Sequence, residues 1–161
     1  MHKVIRAKSE TLFPVIQEII KDGSKTVITV TGNSMRPFLR ENVDSVELSK
    51  ADFNKIFRGD IVLVHRDFGA YVLHRVIRKK KNCFYMVGDN QQWVEGPLRP
   101  DQIVAVATAV FRGEKRTDCK NVFLKVLVNA WLGLLPFRPI VRKLLHYPHA
   151  IVRRIINKTS C

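Results

Sequence analysis

A serine hydroxyl attacks a carbonyl only when a neighbouring base takes its proton. The residues with chemical potential here are therefore a serine held at a turn and a histidine held on a strand. The run Gly32-Asn33-Ser34-Met35-Arg36-Pro37-Phe38-Leu39 supplies the serine. A β-branched stretch runs into a glycine, which permits a tight backbone, and Pro37 fixes the chain three residues after Ser34. Backbone N–H groups at such a turn can face a developing oxyanion. The run Val72-Leu73-His74-Arg75-Val76-Ile77 supplies the histidine. On a strand, Val72, His74 and Val76 share one face, and Leu73, Arg75 and Ile77 share the other. An imidazole titrates near neutrality and suits the role of base. It works best with a carboxylate on its other nitrogen, and Asp89 and Glu95 are the candidates. On the residues alone, Ser34 reads more readily as a turn former and His74 as a satisfied core histidine. Asp89 reads equally as a loop residue whose carboxylate accepts backbone N–H groups.

These side chains need a scaffold, and the hydrophobic pattern predicts a mostly β one. Apolar or β-branched runs at 26–31, 43–48, 61–65, 71–77, 84–87 and 103–111 are separated by Gly, Asn and Asp. They predict a compact, mostly antiparallel α+β domain. Leu12, Val15, Ile16, Ile19 and Ile20 recur at helical spacing ahead of Gly23 and predict an N-terminal helix. From Asn121 the period becomes helical again, and further helical pieces are predicted at 140–145 and 151–156. The organisation expected is an N-terminal helix at 1–25, a catalytic β domain at 26–111 and a basic helical extension at 112–161. Asp60, after Gly59, reads as a turn former.

Charge is distributed unevenly. The 161 residues carry 28 Lys and Arg against 14 Asp and Glu, a formal net charge of +14. Residues 1–110 hold a net of +5 and residues 111–161 a net of +9. Such an excess calls for an anionic partner, and its apolar company at the C-terminal end fits either an acidic membrane surface or a helical cap packed on the β domain with a solvated basic side. Nucleic acid is disfavoured, since aromatic residues are only 9% and no recognition motif stands in the chain. Three cysteines fit no metal spacing and no disulfide framework, and no cofactor is called for. No stretch approaches the roughly 20 apolar residues of a membrane-spanning helix. The expectation is a cytoplasmic or peripherally membrane-associated protein without an N-terminal signal or anchor.

The serine run resembles the serine box of type I signal peptidases, Gly-x-Ser-Met-x-Pro-x-Leu, which the self-cleaving SOS-type repressors of the same clan share. Arg58-Gly59-Asp60-Ile61-Val62-Leu63-Val64 resembles the family's Gly-Asp-Ile-Val strand. Leu73-His74-Arg75-Val76-Ile77 resembles the strand bearing the base, and Val87-Gly88-Asp89-Asn90 resembles its Gly-Asp-Asn box. Four boxes in the family's order span about residues 27–110, and the resemblance implies a barrel-like form for the sheet. Bacterial members carry Lys as the base, whereas endoplasmic-reticulum and archaeal types carry His followed by Arg-Val. This chain resembles the histidine branch, which implies Ser34 as nucleophile and His74 as base. In that branch a second acid, usually Asp, follows the Gly-Asp-Asn box by about six residues. Glu95 stands there instead, so Asp89 and Glu95 both remain candidates for the third residue. The resemblance also implies that Met35, with Asn33 and Pro37 beside it, contacts a substrate with small residues before the cut.

The function expected is a serine endopeptidase that removes leader or signal peptides, its partner a peptide or protein with a cleavable leader. A self-cleaving regulator is the nearest alternative, although those repressors use Lys and carry a DNA-binding module ahead of the cleavage site. A non-catalytic module that holds peptide, lipid or nucleic acid on the same fold is the third.

Overall fold

The computed structural model describes residues 9–140, with side chains from Phe13 onward. Helix α1 (Ser9–Lys21) leads into β1 (Thr26–Thr29), β2 (Asp44–Ser49), β3 (Ile61–His65), β4 (Tyr71–Lys79), β5 (Phe84–Val87) and β6 (Glu95–Leu98). Then follow β7 (Ile103–Arg112), β8 (Lys115–Asp118), helix α2 (Val122–Gly133) and a 3₁₀ turn, Leu135–Phe137. The eight strands form one antiparallel sheet, seven of them in the order β1-β2-β7-β3-β4-β5-β6 and β8 paired to β7 off that path. The path is open, with β1 and β6 at its ends. The predicted mostly antiparallel α+β class is the one observed.

Strand β7 organises the sheet because it is long enough to serve three partners. Its first half pairs with β3, its second half with β8, and its other edge with β2. Register shifts at Glu47/Leu48 and Leu63/Val64 bend these ladders, as bulges do. Alternation sorts the β3 side chains. Ile61 and Leu63 join one core with Ile16, Ile20, Met35, Leu39, Ala105 and Ala107. Val62 and Val64 join a second with Val76, Phe84, Met86 and Leu98. A strand covered on both faces reads as a continuous apolar run, and 61–64 does so. Burying Ile16 and Ile20 of α1 contributes about 1.5–3 kcal/mol each, enough to seat the helix on the sheet.

Two strands carry no hydrophobic signal. Strand β8 is Lys-Arg-Thr-Asp and lies within 112–161, the stretch expected to be a helical extension. It is held as the return of a hairpin with β7 and by Glu47, which accepts from Thr108, Arg116 and Lys25. Those donors, Thr108 first, bring the Glu47 carboxyl down to about 2. Strand β6, Glu-Gly-Pro-Leu, has no β-branched residue. Its Gly96 lies at φ +137°, and an added Cβ would stand 2.8 Å from the Phe84 carbonyl. Helix α2 packs Val128 and Leu132 on Val87, with Phe38 and Ile77 alongside. The helical pieces predicted at 140–145 and 151–156 fall, from residue 141 on, outside the described residues. Among the described residues Cys83 and Cys119 are free thiols. Burial pushes the Cys119 thiol up to about 11, so it stays unreactive.

Candidate active site

The serine turn is pinned by the residues on either side of Ser34. Met35 and Leu39 are 1% exposed and sit in the first core. The Leu39 N–H donates to the Met35 carbonyl at 2.9 Å, and the Gly32 N–H to the Glu41 carboxylate at 2.9 Å. Ser34 remains partly accessible between these anchors, while Asn33 and Pro37 are exposed. Of the three residues expected at the substrate, Asn33 and Pro37 thus lie on the surface and Met35 lies inside.

The turn is joined to the Gly-Asp-Asn loop through its backbone. The Asn90 N–H donates to the Ser34 carbonyl at 2.7 Å. A Cβ on Gly88 would stand 2.7 Å from that same oxygen, so only glycine allows the approach. Strand register then links this loop to the histidine. Arg75 pairs with Val87, so the loop that begins at Gly88 leaves the sheet beside the strand that carries His74. The serine turn and the histidine strand thus both border the segment 88–90.

His74 is 2% exposed, and its Nδ1 has no hydrogen-bond partner. The nearby carboxylate is Glu95, with Oε2 3.9 Å from Nδ1. Arg66, at the end of β3, grips both oxygens of Glu95, its Nε donating to Oε1 at 2.6 Å and its Nη2 to Oε2. Burial pulls the His74 pKa down to about 4, against the attraction of Glu95 and with the repulsion of Arg66. The imidazole is therefore neutral at pH 7, the form that accepts a proton.

Arg75, the next residue on β4, faces the other way. Its guanidinium clamps the fully buried Asp89 carboxylate, Nε to Oδ1 at 2.9 Å and Nη2 to Oδ2 at 2.7 Å. Its Nη1 donates to the Gly59 carbonyl at 2.7 Å, and the Phe38 ring lies under it. Asp89 thus anchors the loop, through a guanidinium and not through the backbone N–H groups considered from sequence. Asp60 accepts the Phe57 N–H at 2.8 Å, as a turn former does.

The C-terminal residues reach the same loop from behind. The Trp131 indole N–H donates to the Asp89 carbonyl at 3.0 Å. Arg138, fully buried, donates to the carbonyls of Gly88 at 2.9 Å and Gln91 at 2.8 Å. Sequence reasoning missed Arg66, Trp131 and Arg138. Nothing local marks Arg66, but an apolar helix with a lone Trp and a following Arg was a signal for packing on the domain. Among the described residues no cluster of His, Cys, Asp and Glu could hold a metal ion. No described helix is long and apolar enough to cross a membrane.

A family model described as Peptidase S24-like matches residues 3–110. The match takes in the serine turn, both candidate acids and His74, and stops before β8 and α2. Comparison with curated proteins gives no match.

Proposed function

Because the chain belongs to the Peptidase S24-like family, a family of serine-peptidase type, we propose that it is an endopeptidase with Ser34 as nucleophile, His74 as base and Glu95 as the carboxylate that steadies the imidazole. The observation that carries this reading is the state of His74. It is buried and neutral, its Nδ1 faces a carboxylate and lacks another partner, and the loop beside it touches the Ser34 backbone. A core histidine with only a structural role gains nothing from an unpaired ring nitrogen, which costs about 1–3 kcal/mol when buried.

In this mechanism the Ser34 hydroxyl attacks the scissile carbonyl as His74 takes its proton. The Ser34 backbone N–H holds the oxyanion. Glu95 moves inward by about 1 Å, into hydrogen-bond range of Nδ1, as the imidazolium forms. His74 then protonates the leaving amine, and water, activated by the same imidazole, frees the acyl group. Strand β1 is an end of the sheet and runs directly into the serine turn. An extended peptide pairing along it would pass Ser34. By resemblance, the residue before the cut is small, and leaders are the substrate class.

The test is covalent labelling of the full chain with a fluorophosphonate, followed by peptide mapping. An adduct on Ser34 that disappears in His74→Ala supports the reading. Labelling elsewhere, or none under conditions where a control serine peptidase reacts, removes it.

A second reading, a regulator that cleaves itself, draws on the family match, since self-cleavage is known in this clan. It requires the intact mass of the purified chain to fall with time into two fragments, and Ser34→Ala to stop this.

A further inference from the structure

Helix α2 is apolar on both faces, and only one of them is covered. Leu124, Val128 and Leu132 face the sheet around Val87. On the other side Phe123, Val126, Leu127, Leu134 and Phe137 recur at helical spacing and stay exposed, Phe123 by 80% and Phe137 by 57%. The two polar residues within the helix, Lys125 and Asn129, stand four apart and occupy one narrow side. A helix with apolar residues all round is normally buried. This one is bolted to the domain by Trp131 and Arg138, so its outer face awaits another surface.

Charge selects which surface. Apart from the buried Arg138, the sequence after Asp118 holds seven Lys or Arg and no Asp or Glu. A second copy of the chain would bring the same +14 against it. A nucleic acid needs cations along the groove it tracks, and the outer stripe of Phe123, Val126, Leu127, Leu134 and Phe137 offers none. An anionic bilayer satisfies both requirements: its acyl boundary takes the apolar stripe and its headgroups take the flanking cations.

We propose that the outer face of α2 and the following 3₁₀ turn lies in the surface of an anionic membrane and holds the serine site against it. The helix has 12 residues, about 18 Å, and lies on the bilayer without crossing it. Its end is tied through Arg138 and Trp131 to residues 88–91, the loop that touches Ser34. A shallow groove lined by Pro37, Phe38, Leu127 and Leu134 joins the apolar stripe to the serine turn. A substrate whose own apolar segment sits in the membrane would emerge beside that groove.

Co-sedimentation of the full chain with vesicles tests this. Vesicles of equimolar phosphatidylcholine and phosphatidylglycerol should bind it at least about tenfold more tightly than pure phosphatidylcholine, because each cation near the surface adds to the attraction. The double variant Phe123→Ser, Val126→Ser should weaken binding to the anionic vesicles at least about tenfold. Lys120→Glu with Lys125→Glu should weaken it selectively on those vesicles. No binding, equal binding to both compositions, or binding untouched by the serine pair overturns the proposal. So does a concentration-dependent dimer in sedimentation that the serine pair dissolves, for then a second copy covers the face. The readout involves no cleavage, so its failure leaves the peptidase reading standing, and a failed labelling leaves this one.

Discussion

Nδ1 of His74 lies 3.9 Å from Oε2 of Glu95, while Arg66 holds both oxygens of that carboxylate. The imidazole thus has its counter-charge close by but not in hydrogen-bond contact, and the guanidinium keeps the carboxylate in place. Such an arrangement stabilises an imidazolium more than a neutral ring, so its benefit falls on the step in which His74 is protonated.

Glu95→Gln should therefore lower kcat by about 10²-fold or more while leaving KM nearly unchanged. The acid limb of kcat/KM, which reports the free protein, should lie near the His74 value of about 4. Glu95 favours the charged ring, so Glu95→Gln should move that limb to lower pH. Arg66 disfavours it, so Arg66→Met should move the limb upward. Steady-state rates on a peptide with Ala before the cut, measured across pH, give both. An unchanged kcat and limb in Glu95→Gln would take the carboxylate out of the mechanism.

The same depression of His74 makes folding sensitive to mild acid. The ring titrates at 6.5 when unfolded and at about 4 when folded. Between those values the unfolded chain binds the extra proton, so stability is complete above 6.5 and is lost as pH falls toward 4. From pH 7 to pH 5 the His74 contribution falls by about 2 kcal/mol. Urea melts of the wild type and His74→Gln at the two pH values isolate this. The wild type should lose that much more than the variant, and parallel losses would mean that the ring is not desolvated.

Asp89 and Glu95 were both candidates from the sequence, and the two should now separate by experiment. Asp89 is fully buried in a bidentate pair with Arg75, on the strand face opposite His74. Removing the charge from one partner of such a pair costs about 3–5 kcal/mol. Asp89→Asn should show that loss in a urea melt, whereas Glu95→Gln, partly exposed, should unfold nearly as the wild type does. If Asp89→Asn is as stable as the wild type yet inactive, Asp89 belongs to the chemistry.

Hydrophobic periodicity made much of this architecture legible in the sequence. Strands β3 and β5 begin and end where their apolar runs do, and α1 and α2 follow their helical spacing. Strands β6 and β8 were not legible, because each is set by its partner. Glu-Gly-Pro-Leu follows β5 with Gly96 at φ +137°, a conformation open to glycine and not to a β-branched residue, and Lys-Arg-Thr-Asp is the return of a hairpin. That omission bears on the site, since β6 is the strand that presents Glu95. His74 and Glu95 are 21 residues apart and meet only through the β4-β5-β6 ladder. Arg66 was hidden for the same reason, as its partner lies 29 residues away. The tail's charge and apolar residues together left open a membrane face or a cap packed on the sheet, and Val128 and Leu132 of α2 do pack on Val87.

Gly88 offers the most local test of the link between the serine turn and the histidine strand. An alanine Cβ there would stand 2.7 Å from the Gln91 Oε1 and 2.7 Å from the Ser34 carbonyl oxygen. The glutamine side chain can swing away, although it then loses the Gly88 N–H that it accepts at 3.2 Å. The Ser34 carbonyl cannot, because it is backbone and is held by the Asn90 N–H at 2.7 Å. The clash therefore displaces the serine turn. Overpacking of this kind costs about 1–3 kcal/mol in stability, and a shift of about 1 Å at a nucleophile costs about 10²-fold in rate. Gly88→Ala should show both, with KM changed less than kcat. Gly133→Ala is the control: nothing lies within 4 Å of the added carbon, so the rate should hold. If Gly88→Ala keeps the wild-type rate, residues 88–90 do not set the position of Ser34, and the link from Ser34 to His74 through this loop is lost with it.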